Sequence, residues 1–374
     1  MNNKRRPYII WLGLRGFPDV MGGVENHSEN LCPRLVELGC DIQAIVRAQY
    51  MSGYKGDSWK GVRFCRIWSP KSRGLEAIVH SILGVMYAAF KRPDILHIQA
   101  IGPALVTPLA RLLGLKVVVT HHGPDYDRQK WGFVARIILK LGERMGMMFS
   151  NGRITISAVI HDIVMNKYNK DSDIIGNAVV LPELSTSEDV IDSFALEKGK
   201  YILLVSRLVP EKRHLDLIEA FIKLPPNDWK LVIVGASDHP DEYEQQVLQK
   251  INVTEGAVST GYQMGEALQE LYTHAGLFVL PSSHEGHPIA LLEAMSYGLP
   301  TLISDIPAHT EMQLDESQYF PSGNVEVLLE KMQSVIDGSS AYDRDAIRNF
   351  VLQNYLWENV AIETALVYES VMCH

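Results

Sequence analysis

The sequence predicts an α/β protein of two domains, each built on a parallel β-sheet covered by helices. At 374 residues the chain is longer than one hydrophobic core usually requires, since single domains average ~150 residues. Short apolar runs alternate with helical patterns, which is typical of βαβ units. The predicted strands are nearly continuous in Val, Ile and Leu, which indicates that both faces of each sheet are covered.

The first domain is predicted over residues 1–180, with six strands and four helices. Gly39 ends the first helix, while the third has a proline near its start and Gly114 after it, as expected for helix boundaries. The predicted strands are 8–14, 41–46, 62–68, 94–99, 116–120 and 153–157. The predicted helices are 24–38, 75–90, 103–113 and 133–149.

The pattern restarts after a polar stretch at 181–200, which we interpret as a linker. A second α/β domain of the same type is predicted over 201–354. Its strands are predicted at 201–205, 230–234, 277–280 and 301–304, and its helices at 214–224, 242–251, 267–274 and 289–297. Two final helical stretches, 344–354 and 358–371, have no strand after them.

Charge is divided unevenly along the chain, whose net charge is −9. Residues 1–190 hold 24 basic and 17 acidic side chains, a net of +7, and the remainder carries −16. A basic first half is suited to anionic lipid, phosphate or nucleic acid, although drift in surface charge would look the same. The four cysteines form no zinc or disulfide pattern, and no apolar run is long enough for a signal peptide or a membrane span. We therefore expect a cytoplasmic protein.

One basic, apolar segment at 128–144 could lie on a membrane. Its Trp and Ile side chains would occupy one helix face, and its cations the other, which is typical of a helix lying on anionic headgroups. An ordinary surface helix with a basic outer face is the alternative, and the sequence leaves both open. The candidate contacts on the membrane or acceptor side are Arg128, Lys130, Arg136, Lys140 and Arg144.

Candidate site residues of the first domain follow its predicted strands, because ligands of open parallel sheets bind beyond the carboxyl ends of the strands. Gly22 and Gly23 precede the first helix, where backbone N–H groups and the helix dipole favour a phosphate. A plain loop is the alternative, since G-x-G-x-x-G is absent. His121 and His122 follow the strand at 116–120. A nearby D-x-D at 125–127 is short enough to arise by chance, so we expect no metal site.

The second domain places charged residues after two of its strands. Arg207 and Lys212 follow the strand at 201–205, where a guanidinium fork and an ammonium would suit phosphate oxygens. Glu285 and Glu293 follow the strand at 277–280 and lie eight residues apart. On one helix that spacing is about 12 Å, too far for a glycosidase pair, which needs ~5–9.5 Å. The two acids should therefore serve different parts of one long ligand, such as a nucleotide sugar.

The charged residues at these strand ends resemble a known family. Ser206-Arg207-x4-Lys212, the segment 284–295 with Glu285 and Glu293, and Gly298-x-Pro300 are similar to the retaining glycosyltransferases of family 4, which have the GT-B fold. The resemblance spans residues from about 8 to 370. It implies two Rossmann-like domains whose parallel sheets face each other across a cleft, with a final helix, about 355–374, that packs back on the first domain.

The resemblance also implies a role for each matching residue. Arg207 and Lys212 would hold the diphosphate, Glu285 would contact the donor sugar, and His122, or else His121, would approach that sugar from the first domain. The residues implied to bind the donor are Gly22, Gly23, Tyr262, Gly286, His287, Pro288, Ile289 and Glu293. Among these, Glu293 would accept from the ribose hydroxyls and Tyr262 would lie near the base.

The implied activity is that of a retaining, metal-independent hexosyltransferase without a cofactor. It would move a sugar from a nucleotide-sugar donor, with UDP favoured, to a glycan or lipid-linked acceptor in bacterial surface-polysaccharide or lipopolysaccharide assembly. We expect no nucleic acid partner, and a cytoplasmic protein that could be peripheral at the membrane. The alternatives are a sugar-nucleotide epimerase of the same fold, a non-catalytic nucleotide-sugar-binding subunit, and a dehydrogenase, which the missing G-x-G-x-x-G disfavours.

Overall fold

The computed structural model describes residues 5–72, 75–127, 132–237, 241–339 and 342–373. The chain forms two compact units, the first of which is discontinuous. It comprises Met1–Asn177 together with Trp357–His374, and the second comprises Ala178–Leu356.

The first unit is built on an eight-stranded sheet whose strand order is β3-β4-β2-β1-β5-β6-β7-β8. All neighbouring pairs are parallel except β3 and β4, which form an antiparallel hairpin. The strands are β1 (Tyr8–Leu12), β2 (Asp41–Arg47), β3 (Ser58–Trp59), β4 (Val62–Ile67), β5 (Ile95–Gln99), β6 (Val117–His121), β7 (Gly152–Thr155) and β8 (Asp173–Ile174). Because β1 lies in the middle, the chain leaves it towards β2 on one side and returns to β5 on the other.

Helices cover this sheet and bury its apolar strands. The helices are α1 (Gly23–Glu37), α2 (Glu76–Lys91), α3 (Thr107–Leu112), α4 (Phe133–Phe149), α5 (Ala158–Tyr168) and α14 (Trp357–Cys373). The central strands β1, β5 and β6 are buried almost throughout, as their continuous apolar composition predicts.

The closing helix α14 is held to the first unit by buried contacts. Tyr368 is 1% exposed, and its hydroxyl is hydrogen-bonded to Nδ1 of His97 at 2.6 Å. Trp357 is also 1% exposed and packs edge-on against the ring of His27. At the other end, the Lys116 ammonium donates to the last carbonyls of the helix, where a cation is favourable.

The second unit has a six-stranded, fully parallel sheet whose strand order is β11-β10-β9-β12-β13-β14. Its strands are β9 (Tyr201–Val205), β10 (Lys230–Val234), β11 (Ala257–Gly261), β12 (Leu277–Leu280), β13 (Thr301–Ser304) and β14 (Tyr319–Phe320). Its helices are α6 (Asp189–Ser193), α7 (His214–Ile222), α8 (Glu242–Asn252), α9 (Gly265–His274), α10 (Ile289–Ser296), α11 (Pro307–Thr310), α12 (Val325–Ile336) and α13 (Arg344–Asn354). As in the first unit, the first strand lies inside the sheet, so the chain leaves it in both directions.

Residues 181–200 differ from the predicted linker, because they fold as part of the second unit. Helix α6 lies in this stretch, and Ile191 and Leu196 belong to the hydrophobic core of that unit. The buried Glu270 carboxylate accepts hydrogen bonds from the N–H groups of Val190 and Ile191. The interpretation as a linker was wrong because a few apolar side chains, spaced without a helical period, were enough to anchor the stretch.

The predicted strands and long helices are otherwise present to within a few residues at their ends. The elements that the periodicity did not reveal include α5, β11 and α12, together with the two-residue strands β3, β8 and β14. Within the described parts of the chain, no helix combines the length and the apolar character needed to cross a bilayer.

Candidate active site

The candidate site of the second unit lies where its strand order reverses. The crossover after β9 goes to β10, and β12 pairs with the opposite side of β9. The two loops that follow β9 and β12 therefore diverge and leave a crevice at the carboxyl ends of these strands, the usual ligand position in open α/β sheets. The predicted residues Arg207, Lys212 and Glu285 lie on these two loops.

An ion pair between Lys212 and Glu285 joins the two loops. The Lys212 ammonium contacts Oε1 of Glu285, and the two side chains are only 15% and 11% exposed. The Ser282 hydroxyl donates to the same carboxylate oxygen at 2.7 Å. The backbone adds a second link, because the N–H of Ser283 donates to the carbonyl of Glu211 at 2.8 Å. The structure thus brings together two residues that are 73 positions apart in sequence.

The Glu285 carboxylate is ionised despite its burial. Burial alone would raise its pKa, but the Lys212 charge and the hydrogen bonds from Lys212 and Ser282 lower that pKa to about 2. A charged carboxylate that still meets solvent can accept hydrogen bonds from sugar hydroxyls. The neighbouring ammonium can stabilise negative charge that develops on a leaving group.

His309 is a residue of this site that the sequence reasoning missed. It is fully buried, its Nδ1 donates to the carbonyl of Ser304 at 2.8 Å, and burial lowers its pKa. Among the described residues its Nε2 is buried without a hydrogen-bond partner, and the ring lies close enough to Glu285 that a positive charge on it would lower the pKa of that carboxyl. The signal that could have found it is its place soon after β13, the strand next to β12.

The remaining predicted donor contacts lie on the elements that surround this pair. Glu293 is on α10 and accepts a hydrogen bond from the Tyr272 hydroxyl at 3.1 Å, while burial and Glu293 raise the Tyr272 pKa. The loop before α10 contains Gly286, His287 and Pro288, and α10 begins at Ile289, as predicted. Tyr262 directly follows β11 and is 47% exposed.

In the first unit, His122 lies just beyond the carboxyl end of β6. Its Nε2 is 2.8 Å from Oε1 of Gln99, the last residue of β5, so this nitrogen donates and Nδ1 is left as an acceptor. Burial and the neighbouring histidines hold the His122 pKa well below its ordinary value, so the ring is neutral. The ring of His27 packs edge-on against His122, and its own Nδ1 is 2.9 Å from the Asn177 side-chain oxygen.

His121 has a different environment, which separates the two adjacent histidines. It is fully buried, its Nδ1 accepts from the N–H of Gly123, and its Nε2 donates to Glu143 at 2.9 Å. Glu143 also accepts from the hydroxyls of Tyr126 and Tyr168. Burial would raise the pKa of Glu143, but these donors hold it at about 2. Both ring nitrogens of His121 are therefore engaged within the protein, and the geometry favours His122 as the site histidine.

The predicted glycine loop leads directly into α1. Gly22 has a φ of +151°, and a Cβ atom there would lie 2.0 Å from Oε2 of Glu25. Gly23 is the first residue of α1, and no atom of the described residues would lie within 4 Å of a Cβ there. The backbone N–H groups at the N-terminus of α1 favour an anion, and the Glu25 carboxylate already lies beside Gly22 at this position.

The predicted membrane-side residues fall partly outside the described chain. Arg128 and Lys130 lie outside the described residues, whereas Arg136, Lys140 and Arg144 are all exposed on α4. Their apolar neighbours on α4 are exposed too: Phe133 by 80%, Val134 by 68%, Ile137 by 49% and Leu141 by 45%. Both kinds of side chain therefore meet solvent along α4, and a membrane contact stays a prediction.

Two family models match successive parts of the chain. The model described as Glycosyltransferase Family 4 matches residues 21–181, and the model described as Glycosyl transferases group 1 matches residues 186–349. The second match covers the loops that carry Arg207, Lys212 and Glu285.

Curated relatives and solved structures agree with these matches. An uncharacterized glycosyltransferase of Methanocaldococcus jannaschii is 31% identical over 46% of this chain and 45% of its own length. The O-antigen chain mannosyltransferase B of Escherichia coli is 25% identical over 58% of this chain and 60% of its own length. The chain thus spans about half the length of the curated relatives it matches. The structure of Anabaena Alr3699/HepE in complex with UDP and glucose superposes on this chain with a TM-score of 0.79 at 16% sequence identity. The superposition covers 98% of this chain and 100% of that one. The predicted GT-B fold is therefore confirmed.

In the buried Lys212–Glu285 pair, removing one charge should destabilise the protein more than removing both. We expect Lys212→Met to lower the free energy of unfolding by up to about 3–5 kcal/mol, because it leaves a carboxylate buried without its cation. The double variant Lys212→Met/Glu285→Gln should recover most of that loss, because neither charge remains. Urea unfolding of the three proteins measures the effect.

Lys223→Met is the matched control for this cycle. Lys223 pairs with Glu219 at the surface, where both side chains are at least 40% exposed. Its loss should cost no more than about 1 kcal/mol. If Lys212→Met and Lys223→Met destabilise equally, or if the double variant recovers nothing, the pair does not hold the loops as described.

Proposed function

This chain belongs to the group 1, family 4 glycosyltransferases, and from that premise we propose that it transfers a sugar from a nucleotide-sugar donor to a hydroxyl of a glycan or lipid-linked acceptor. A UDP-sugar is the favoured donor, and a role in bacterial surface-polysaccharide or lipopolysaccharide assembly is the favoured context. The names of the relatives support this context, because one of them acts on the O-antigen chain. The bound UDP and glucose of the superposed structure support the donor.

The observation that carries the proposal is the Lys212–Glu285 pair at the reversal point of the second sheet. In the ligand-free state Glu285 neutralises Lys212. A bound diphosphate would offer Lys212 a second anionic partner, while Glu285 would turn to the hydroxyls of the donor sugar. Arg207, two residues beyond β9, would share the phosphate charge, since an arginine fork matches phosphate oxygens.

We propose that the transfer retains the anomeric configuration and proceeds on one face of the sugar. The acceptor oxygen would bond to the anomeric carbon as the bond to the diphosphate breaks. The acceptor proton would pass to a departing phosphate oxygen. Arg207, Lys212 and the N–H groups at the start of α10 would stabilise the charge on the leaving group, so no metal would be required. Neutral His122 would contact the donor sugar through Nδ1.

The acceptor is proposed to bind to the first unit, and its lipid carrier would place the protein at the inner face of the cell membrane. The exposed apolar residues and cations of α4 support this location, because both kinds of contact favour an anionic bilayer surface. The epimerase and the non-catalytic subunit lose support, since both matching family models describe transferases.

A screen of nucleotide sugars tests the proposed function. UDP-, GDP- and dTDP-linked hexoses are each tested for slow hydrolysis and for a rise in melting temperature, which a bound donor causes by mass action. We expect one base and one sugar to be preferred in both measurements. A protein that no nucleotide sugar stabilises, and that hydrolyses none, would contradict the proposal.

Arg207→Ala and Lys212→Ala should each lower the rate of the chemical step by roughly 10²-fold or more, because their charges act on the leaving group as it forms. Single-turnover kinetics with the preferred donor measures this step. Lys223→Ala removes an exposed cation of the same unit and is the control, with turnover expected to stay near that of the wild type. Near-wild-type turnover in both site variants would overturn the assignment of the two cations.

Activity should persist in EDTA, because the cations that meet the diphosphate are protein side chains. The measurement is the transfer or hydrolysis rate before and after chelation, with Mg²⁺ and Mn²⁺ added back. Complete loss in EDTA, restored by either ion, would instead promote Asp125 and Asp127 to metal ligands.

Reversing Arg136, Lys140 and Arg144 to Glu should abolish sedimentation with anionic vesicles and leave donor binding unchanged. Each cation near such a surface contributes about 1 kcal/mol at best. Salt screens that attraction over ~8–10 Å, so wild-type binding should also fade at high salt. Reversal of Lys198, Lys223 and Lys250 in the second unit is the control and should leave sedimentation unchanged. A wild type that never sediments at low salt would remove α4 as a membrane contact.

A further inference from the structure

A cavity of about 520 Å³ lies at the carboxyl ends of β2 and β4 in the first unit. It opens on the same edge of the sheet as His122, but none of the residues assigned above lines it. Its walls are the turn after β2 and the loop after β4. The lining residues are Ala48, Gln49, Trp68, Ser69, Pro70 and Lys71.

A buried ion pair between Arg47 and Glu76 lies beside this cavity. Arg47 is the last residue of β2, and its guanidinium donates to Oε1 of Glu76 at 2.9 Å, with the two side chains 10% and 12% exposed. Gln49, which lines the cavity, donates its amide to the same oxygen at 2.9 Å. The Arg47 charge is therefore neutralised, and Lys71 is the cation that remains among the lining residues. The choice of a neutral ligand therefore rests on the two side chains described next.

Two lining side chains have properties that suit contact with a ligand. Trp68 is 66% exposed, although an indole of this size is usually buried. Ser69 is only 4% exposed, and its hydroxyl has no hydrogen-bond partner among the residues that the structure describes. Buried polar groups without a partner are uncommon and expensive, and a bound hydroxyl would satisfy this one.

We propose that this cavity binds a neutral sugar residue of the acceptor, with the sugar ring stacked on Trp68 and a hydroxyl bonded to Ser69. An apolar ring face beside a few fixed polar groups is the usual composition of a small-ligand pocket. The proposal rests on the proposed function, since it assigns the acceptor as a glycan, but it concerns a different set of residues from the donor site.

The position in the sheet shows which part of the acceptor this sugar would be. In the strand order, β2 lies three places and β4 four places from β6, whose end carries His122. Adjacent strands are about 4.8 Å apart, so the cavity lies roughly 14–19 Å along the sheet edge from His122. That span exceeds one sugar ring. The cavity would therefore hold a sugar distant from the reacting hydroxyl and would favour an oligosaccharide acceptor over a monosaccharide.

Fluorine NMR of the full-length protein labelled with fluorotryptophan tests this directly, with Trp68→Phe used to assign the Trp68 signal. The probes are neutral trisaccharides of glucose, galactose and mannose, inorganic phosphate, and anionic phospholipid vesicles. We expect at least one trisaccharide to shift the Trp68 signal saturably, and phosphate and vesicles to leave it in place. Ser69→Ala should raise the dissociation constant of that trisaccharide by about tenfold. Phe90→Ala alters an exposed aromatic residue outside the cavity and should leave the dissociation constant unchanged.

The proposal is overturned if no trisaccharide shifts the Trp68 signal, or if phosphate or vesicles shift it while the sugars do not. The proposal is also overturned if Ser69→Ala and Phe90→Ala lower the affinity for the trisaccharide equally. The nucleotide-sugar thermal shift, measured on the same samples, reports donor binding, to which none of the cavity residues is assigned. If the protein binds donor but no trisaccharide at Trp68, the sugar site in the cavity is refuted and the proposed function is not. If it binds a trisaccharide at Trp68 but no nucleotide sugar, the proposed function is refuted and the cavity remains a sugar site.

Discussion

The parallel order of each sheet is the constraint on which every candidate residue depends. A parallel sheet gathers the carboxyl ends of all its strands at one edge, and each crossover returns the chain to the opposite edge before the next strand begins. Because the first strand of each unit lies inside its sheet, the following crossovers diverge from it. Residues far apart in sequence, such as Lys212 and Glu285, therefore meet at that edge without any local relationship between them.

Buried carboxylates show how the same electrostatics serves two purposes. Glu143 and Glu285 are both held ionised, with a pKa of about 2, by neighbouring donors that outweigh the effect of burial. The partners of Glu143 come from four positions of one unit and use up both of its oxygens, so it acts as a structural anchor for His121. Glu285 relies on one ammonium and one hydroxyl at a loop edge that remains partly open. A ligand can compete for its partners, which is what a binding site requires.

The first unit exposes large apolar side chains that do not contribute to its own hydrophobic core. Phe133 and Val134 on α4 and Trp68 beside the cavity expose large apolar surfaces, and each would gain free energy by leaving water. Such surfaces are typical of contact with another molecule when they are clustered and bordered by polar or charged groups. On α4 the border carries three exposed cations, whereas beside Trp68 the Arg47 charge is neutralised by Glu76 and Lys71 is the cation among the lining residues. The two surfaces therefore suit chemically different partners.

The amino-acid sequence by itself determined the strands, the long helices and the charged residues after each strand, because these follow from composition and period over short windows. It also carried the family, through Arg207, Lys212, Glu285 and their spacing. Only the tertiary structure decided that residues 181–200 contribute to the core of the second unit and that His121 is hydrogen-bonded to Glu143. It also decided that His309 lies near Glu285. The tertiary structure likewise determined that the apolar side chains of α4 are exposed, and that the Ser69 hydroxyl has no hydrogen-bond partner among the described residues. Burial and partnership depend on which strands become neighbours, and no local pattern in the chain encodes that choice.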